Sequence, residues 1–173
     1  MEEPEPRHAL DAALQPDQWG LVRGRLVHRL LQTLPDVAVD ERRAAAARYL
    51  DAALDGAFAE RREQLVSEVF GVLDDPRFGA LFSNRARAEV PIVGSLQGAH
   101  GTTFAVSGQI DRLVVSEEAV LIVDYKTNAR PPQALDAVPA EYIAQLAVYR
   151  RLLRDLYPDK PVRAVLLWTA THA

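Results

Sequence analysis

The chain has 173 residues, a formal net charge of −4 and no cysteine. That length suits one domain with a sizeable buried core, the missing thiols exclude disulfides and cysteine-ligated metal clusters, and the acidic balance excludes a global electrostatic footprint for nucleic acid. No run of eighteen apolar residues is present to span a bilayer, and the acidic start MEEPEPRHALDAAL has no signal-peptide pattern, so the expectation is a cytoplasmic protein with no membrane contact.

Residues 1–17 read as a flexible lead-in or linker. From Gln18 to Leu34, Leu21, Leu26, Leu30, Leu31 and Leu34 recur at helical spacing, and Pro35 stops the run. Asp40 is the expected N-cap of a second helix reaching about Ala57. A third covers Glu60 to Leu73, and a short fourth follows Pro76, over Arg77 to Phe82. The period then changes. Ala86–Val93 and Thr103–Ser107 read as strands joined by a loop containing Gly94, Gly98 and Gly101. Two further strands lie in VSGQIDRLVVSEEAVLIVDYKTN (106–128). After prolines 131, 132 and 139, Glu141–Leu156 is an amphipathic helix stopped by Pro158, and Val162–Trp168 is a last, largely buried strand. Residues 18–173 are thus expected to form a single α/β or α+β domain, with a mixed sheet and a helical N-terminal half.

The run 106–128 carries the chemistry. An apolar strand bears a carboxylate at high cost unless something pairs with it or binds it, yet Asp111 and Asp124 both sit in such strands. With a turn at Ser116–Ala119, Val115 faces Val120, Leu113 faces Ile122 and Asp111 faces Asp124. Like charges opposed at about 5 Å are destabilising unless a cation lies between them. Lys126 projects from the same face as Asp124 because strand side chains alternate. The plain alternative pairs Asp111 with Arg112 or another arginine and leaves Lys126 as a solvated strand end. Of the 20 basic residues only Lys126 and Lys160 are lysine, which gives the lysine beside Asp124 extra weight.

An apolar run feeding Asp–x–Lys, thirteen positions after an earlier Asp, is the arrangement of the PD-(D/E)xK nucleases. GQIDRL (108–113), LIVDYKTN (121–128), YIAQLAVYRRLL (142–153) and the upstream GRLVHRLLQTLP (24–35) together resemble the RecB-family nuclease domain. The likeness is greatest to the C-terminal nuclease domain of the AddA subunit of bacterial AddAB helicase–nucleases. The resemblance implies a restriction-endonuclease-like fold, a central mixed sheet flanked by helices. It also implies an Mg²⁺-dependent deoxyribonuclease (with Mn²⁺ as substitute) that hydrolyses phosphodiester bonds during double-strand-break processing for recombinational repair. Its metal ligands correspond to His28, Asp111, Asp124 and the carbonyl of Tyr125, its catalytic lysine to Lys126, and its Q-x-x-x-Y pair to Gln145 and Tyr149. Glu89 matches an upstream acidic position. The implied partners are DNA, an AddB-type subunit and the helicase domains of a longer parent chain. Related domains with an iron–sulfur cluster need four cysteines, so none is expected.

Taken alone, His28 is an ordinary helical histidine, and Tyr149 would pack with Tyr142, Leu146 and Leu153 while Gln145 stands at the boundary. No nucleophile elbow or Walker motif occurs. The rival reading is a non-catalytic module of the same complex that binds DNA ends or docks a subunit. A third is a stand-alone restriction or junction-resolving nuclease of the same fold, which the acidic balance disfavours.

Overall fold

A computed structural model describes residues 16–54, 60–128 and 130–172. Helices α1 (Pro16–Thr33), α2 (Arg42–Ala53) and α3 (Arg62–Leu73) come first, followed by strands β1 (Ala86–Gln97), β2 (Thr103–Val115) and β3 (Val120–Lys126). Helix α4 (Ala140–Leu156) then leads to β4 (Val162–Trp168). The sheet order is β1-β2-β3-β4, with β1, β2 and β3 antiparallel in turn and β4 parallel to β3. A parallel pair needs a crossover, and α4 supplies it.

Helix α1 buries Leu26, Val27, Leu30, Leu31 and Leu34 with α2, α3 and one face of the sheet. Each such side chain contributes roughly 1.5–3 kcal/mol relative to an exposed one. Leu21, which shares their spacing, is instead 72 % exposed. A second core under α4 joins Ile122, Leu146, Tyr149, Leu153 and Val162. Within α1, Arg112 reaches from β2 to donate to the Leu31 carbonyl, and its guanidinium lies 5.2 Å from the Phe82 ring centroid.

Several boundaries depart from expectation. Residues 16 and 17 open α1 rather than ending the lead-in, Pro16 standing where its missing N–H has no partner to lose; the rest of the lead-in lies outside the described residues. Asp40 is not an N-cap: it sits in a 3₁₀ turn, Val39–Glu41, and α2 begins at Arg42 with no side-chain cap. Arg42 instead donates to the carbonyls of Pro35 and Val37, closing the preceding turn. The second helix ends at Ala53; its expected continuation over 55–57 lies outside the described residues. The fourth helical piece, Pro76–Phe82, is 3₁₀, capped by Asp75.

The second and third predicted strands are one. β2 runs unbroken through Ser107 and Gly108, and Gly94 lies inside β1. Both strands change phase along their length. Along β1, Ala86 enters the core under α1–α3 while Ile92, of the same parity, enters the core under α4; Val114 and Ile110 of β2 divide likewise. The pairs Ala88–Arg112 and Val90–Ile110 bracket the change, so Glu89 stands opposite Asp111 where the faces exchange. Glu89 has φ 53°, left-handed backbone inside a strand. The hairpin beyond it turns onto α4, where a Cβ on Gly94 would lie 2.7 Å from Leu152 Cδ2 and one on Gly108 2.1 Å from the Tyr149 hydroxyl.

Candidate active site

The β2–β3 ladder has the expected register at Val115–Val120 and Leu113–Ile122, but it stops at Arg112–Val123, one pair short of Asp111–Asp124. The physical reason is local: the Asp111 carboxylate accepts the Tyr125 backbone N–H (2.7 Å) and thereby replaces a ladder bond. The strands separate there, and the separation makes the site.

Helix α1 closes it from one side. His28 Nδ1 lies 3.5 Å from Asp111 Oδ1, and His28 Nε2 lies 3.2 Å from the Tyr125 carbonyl oxygen. Glu89, arriving from β1, completes a group in which one ligand atom each from His28, Glu89 and Asp111 lie within 4.8 Å of one another. Asp124 is beside this group but turned to its own partner: Lys126 Nζ stands 2.7 Å from Asp124 Oδ2. Both side chains are largely shielded from water, at 8 % and 14 % exposure. The same ammonium sits 3.9 Å from the Tyr142 ring centroid on α4, a cation–π contact that fixes its direction.

The electrostatics express crowding of negative charge. Burial pushes Asp124 above the usual carboxylate range and the Asp111 charge adds to it, while Lys126 and His28 only partly offset the two. Burial, then Asp111, raises Glu89. For His28, burial works against the imidazolium, but Asp111, Asp124 and Glu89 outweigh it and the group titrates above its ordinary 6.5. Three groups that all hold protons more tightly than normal want a cation among them.

The structure therefore brings together His28, Asp111, the Tyr125 carbonyl and Glu89, with the Asp124–Lys126 pair adjoining. Among the described residues Arg112 forms no ion pair with Asp111; its guanidinium is taken up by the Leu31 carbonyl and the Phe82 ring. Gln145 and Tyr149 are placed differently. Tyr149 is buried in the α4 core, its hydroxyl over Gly108, and Gln145 Nε2 donates to that hydroxyl at 3.3 Å. Among the described residues neither is bonded to the group around Asp111.

A support that sequence reasoning passed over lies behind β3. Arg23 and Glu68 form a two-point buried ion pair, Nε–Oε2 at 2.9 Å and Nη2–Oε1 at 2.8 Å. Arg23 also donates to the Thr127 carbonyl, and Thr169 donates to Glu68. The chain just after Lys126 is held by this cluster. Its signal was present: Glu68 falls three residues after Leu65 and one before Val69, on the buried stripe of α3.

Carboxylates and an imidazole gathered beside an ion-paired lysine, at the open end of a mixed sheet, are the equipment of a metal-dependent hydrolase. A model of the PD-(D/E)XK nuclease superfamily matches residues 5–171, and the chain belongs to that superfamily, whose nucleases use divalent metals. No curated protein matches the sequence. Among solved structures the chain is similar to that of SSO0001, at 17 % identity and a TM-score of 0.33, with 81 % of this chain and 60 % of that chain covered. It spans about three fifths of that protein, and the likeness is too loose to carry an argument. Among the described residues no helix is long and apolar enough to cross a membrane.

Proposed function

We propose that the chain is an Mg²⁺-dependent deoxyribonuclease domain of the RecB family, closest in type to the C-terminal nuclease domain of AddA. It would process double-strand breaks for recombinational repair in the cytoplasm, beside an AddB-type subunit and a helicase motor. The observation that carries the enzymatic reading is the convergence of His28, Glu89 and Asp111 next to the Asp124–Lys126 pair.

The donor set fits the ion. Oxygen ligands from Asp111, Asp124, Glu89 and the Tyr125 carbonyl suit Mg²⁺, and the imidazole of His28 widens the fit to Mn²⁺. When bound, the metal would neutralise charge on the scissile phosphate and make a neighbouring water more acidic. The remaining work falls to the chain. Asp111 holds β2 and β3 apart by its bond to the Tyr125 amide, keeping that carbonyl turned toward His28. Lys126, aimed by Asp124 and the Tyr142 ring, presents fixed positive charge where the phosphoryl oxygens gain negative charge. Arg25 and Arg29 share the cleft with His28, Glu89 and Asp111 and supply charge for flanking phosphates.

The test is cleavage of end-labelled single- and double-stranded DNA by the purified chain, with Mg²⁺ and with chelator. Asp124→Ala and Lys126→Ala should each lose at least a hundredfold in rate while keeping the wild-type circular dichroism. Undiminished cleavage by both variants would sink the assignment. No cleavage by wild type, with no Mg²⁺ or Mn²⁺ binding that depends on Asp111, would favour the non-catalytic docking module.

A further inference from the structure

On the far side of Lys126 from the metal-ligand group, a groove runs along the free edge of β4 against α4. Its near end is apolar: Trp168 pairs in register with Lys126, and Ile143 follows Tyr142, the residue that covers the lysine ammonium. Leu135, 79 % exposed, and Ile143, 45 % exposed, form part of its wall. The far end is cationic. Arg150 and Arg163 line both the apolar stretch and an adjoining hollow that adds Arg154 and Lys160 against a single acid, Asp159. Arg150 Nε is anchored on the Val162 carbonyl (2.8 Å) and Lys160 Nζ on the Ser116 carbonyl (2.6 Å). Arg154 and Arg163 have no ion-pair partner among the described residues. In a chain of net charge −4, four cations gathered at one end of an apolar groove call for an anionic occupant.

We propose that this groove is the track of a single DNA strand running to or from the active site. Its bases lie on the apolar floor from Trp168 onward, and its phosphates reach Arg150, Arg154, Lys160 and Arg163. The proposal rests on the deoxyribonuclease reading. A single strand is favoured over a duplex because its base faces are free to stack on apolar and aromatic side chains while cations follow the backbone. A duplex hides those faces and offers phosphates and groove edges. The dimensions agree. From Trp168 to Val162 the strand covers about 20 Å at about 3.3 Å per residue, room for a short stretch of single strand.

The experiment uses the 173-residue chain in chelator, where no cleavage is needed, and labelled oligothymidylates of increasing length. Affinity should climb with length until the strand fills the groove and then level off. In a Trp19→Phe background, Trp168 emission should be quenched as the strand binds. The exposed double variant Arg154→Ala/Arg163→Ala should bind the longer strands about tenfold more weakly at moderate salt. Its salt dependence should be shallower by about 1.4 logarithmic units per decade, about 0.7 for each lost phosphate contact. A trinucleotide should bind wild type and variant alike, and Mg²⁺ affinity should be unchanged. Equal binding of the longer strands by both proteins, or an unquenched Trp168, would overturn the track and leave the groove to a polypeptide partner. A blunt duplex that binds as tightly with the same quench would also overturn it. Cleavage surviving in Asp124→Ala would remove the enzymatic reading while leaving this binding result standing.

Discussion

Glu89 occupies left-handed backbone, with φ 53°, in the middle of β1. A non-glycine residue in that region costs on the order of 1 kcal/mol or more and persists only where its surroundings impose it. Here the distortion delivers a carboxylate to Asp111 and His28. Glu89→Gln should therefore separate function from stability. With one repelling charge gone, the melting temperature in chelator should rise by a few degrees, consistent with about 1 kcal/mol in a domain of this size. Mg²⁺ affinity and cleavage should fall at least tenfold. Calorimetric melting and Mg²⁺ titration check the pair of outcomes, and unchanged metal affinity would remove Glu89 from the site.

The same residues set a pH dependence. His28, Glu89 and Asp124 all have folded pKa values above their ordinary ones. A raised folded pKa means that the folded state binds the proton more tightly, so the stability it confers is full below the unfolded pKa and is lost as pH rises through the folded one. For the two carboxyls that loss begins above the usual acid range, and for His28 above 6.5. The metal-free protein should lose stability as pH rises from the ordinary carboxyl range to beyond 6.5. Mg²⁺ displaces these protons, so its affinity should increase over the same window. Titrations in buffers of different ionisation heat should show net proton release near pH 6.5, and proton uptake would contradict the assignment.

At the scale of elements, the hairpin of β1 and β2 depends on two positions without side chains. Gly108 lets the Tyr149 hydroxyl rest on the β2 backbone, since a Cβ there would lie 2.1 Å from that oxygen. Tyr149 is buried and its ring is fixed by Leu146 and Leu153, so it has little room to withdraw. Gly108→Ala should cost about 1–3 kcal/mol, the usual penalty for overpacking. Because the same strand carries Asp111 three residues on, Mg²⁺ affinity should fall as well. Tyr149→Phe in the alanine background should restore part of the stability by removing the clashing oxygen. Failure of that rescue in chemical denaturation would mean that the hairpin does not lean on α4 through this contact.

For the whole molecule, a net charge of −4 sets the terms of DNA binding. Attraction must come from local cations and from bound metal, so affinity should be weak and strongly salt-dependent. In chelator, Asp124→Asn should bind a non-cleavable DNA more tightly than wild type, by about threefold to tenfold, because one charge opposed to the phosphate is gone. Its gain on adding Mg²⁺ should be smaller than that of wild type. Identical binding by both proteins, with and without Mg²⁺, would mean that DNA does not approach β3.

The order of residues alone determined the succession of helices and strands, the β2–β3 turn with its register, and the placing of Asp124 and Lys126 on one side of β3. These follow from periods of 3.6 and 2.0, which act over a few neighbouring residues. The exchange of faces at Glu89 was not legible in this way, because alternation on either side of it is regular and only φ at one residue records the switch. Nor could local pattern say that Asp111 would spend one oxygen on the Tyr125 amide, that Glu89 rather than Asp124 would gather with it and His28, or that Arg23 would find Glu68 across 45 residues. Those meetings are decided when α1 and α3 are pressed onto the sheet by their apolar stripes. Once burial removes water, each stranded charge can be satisfied only by whichever group the packing brings within reach.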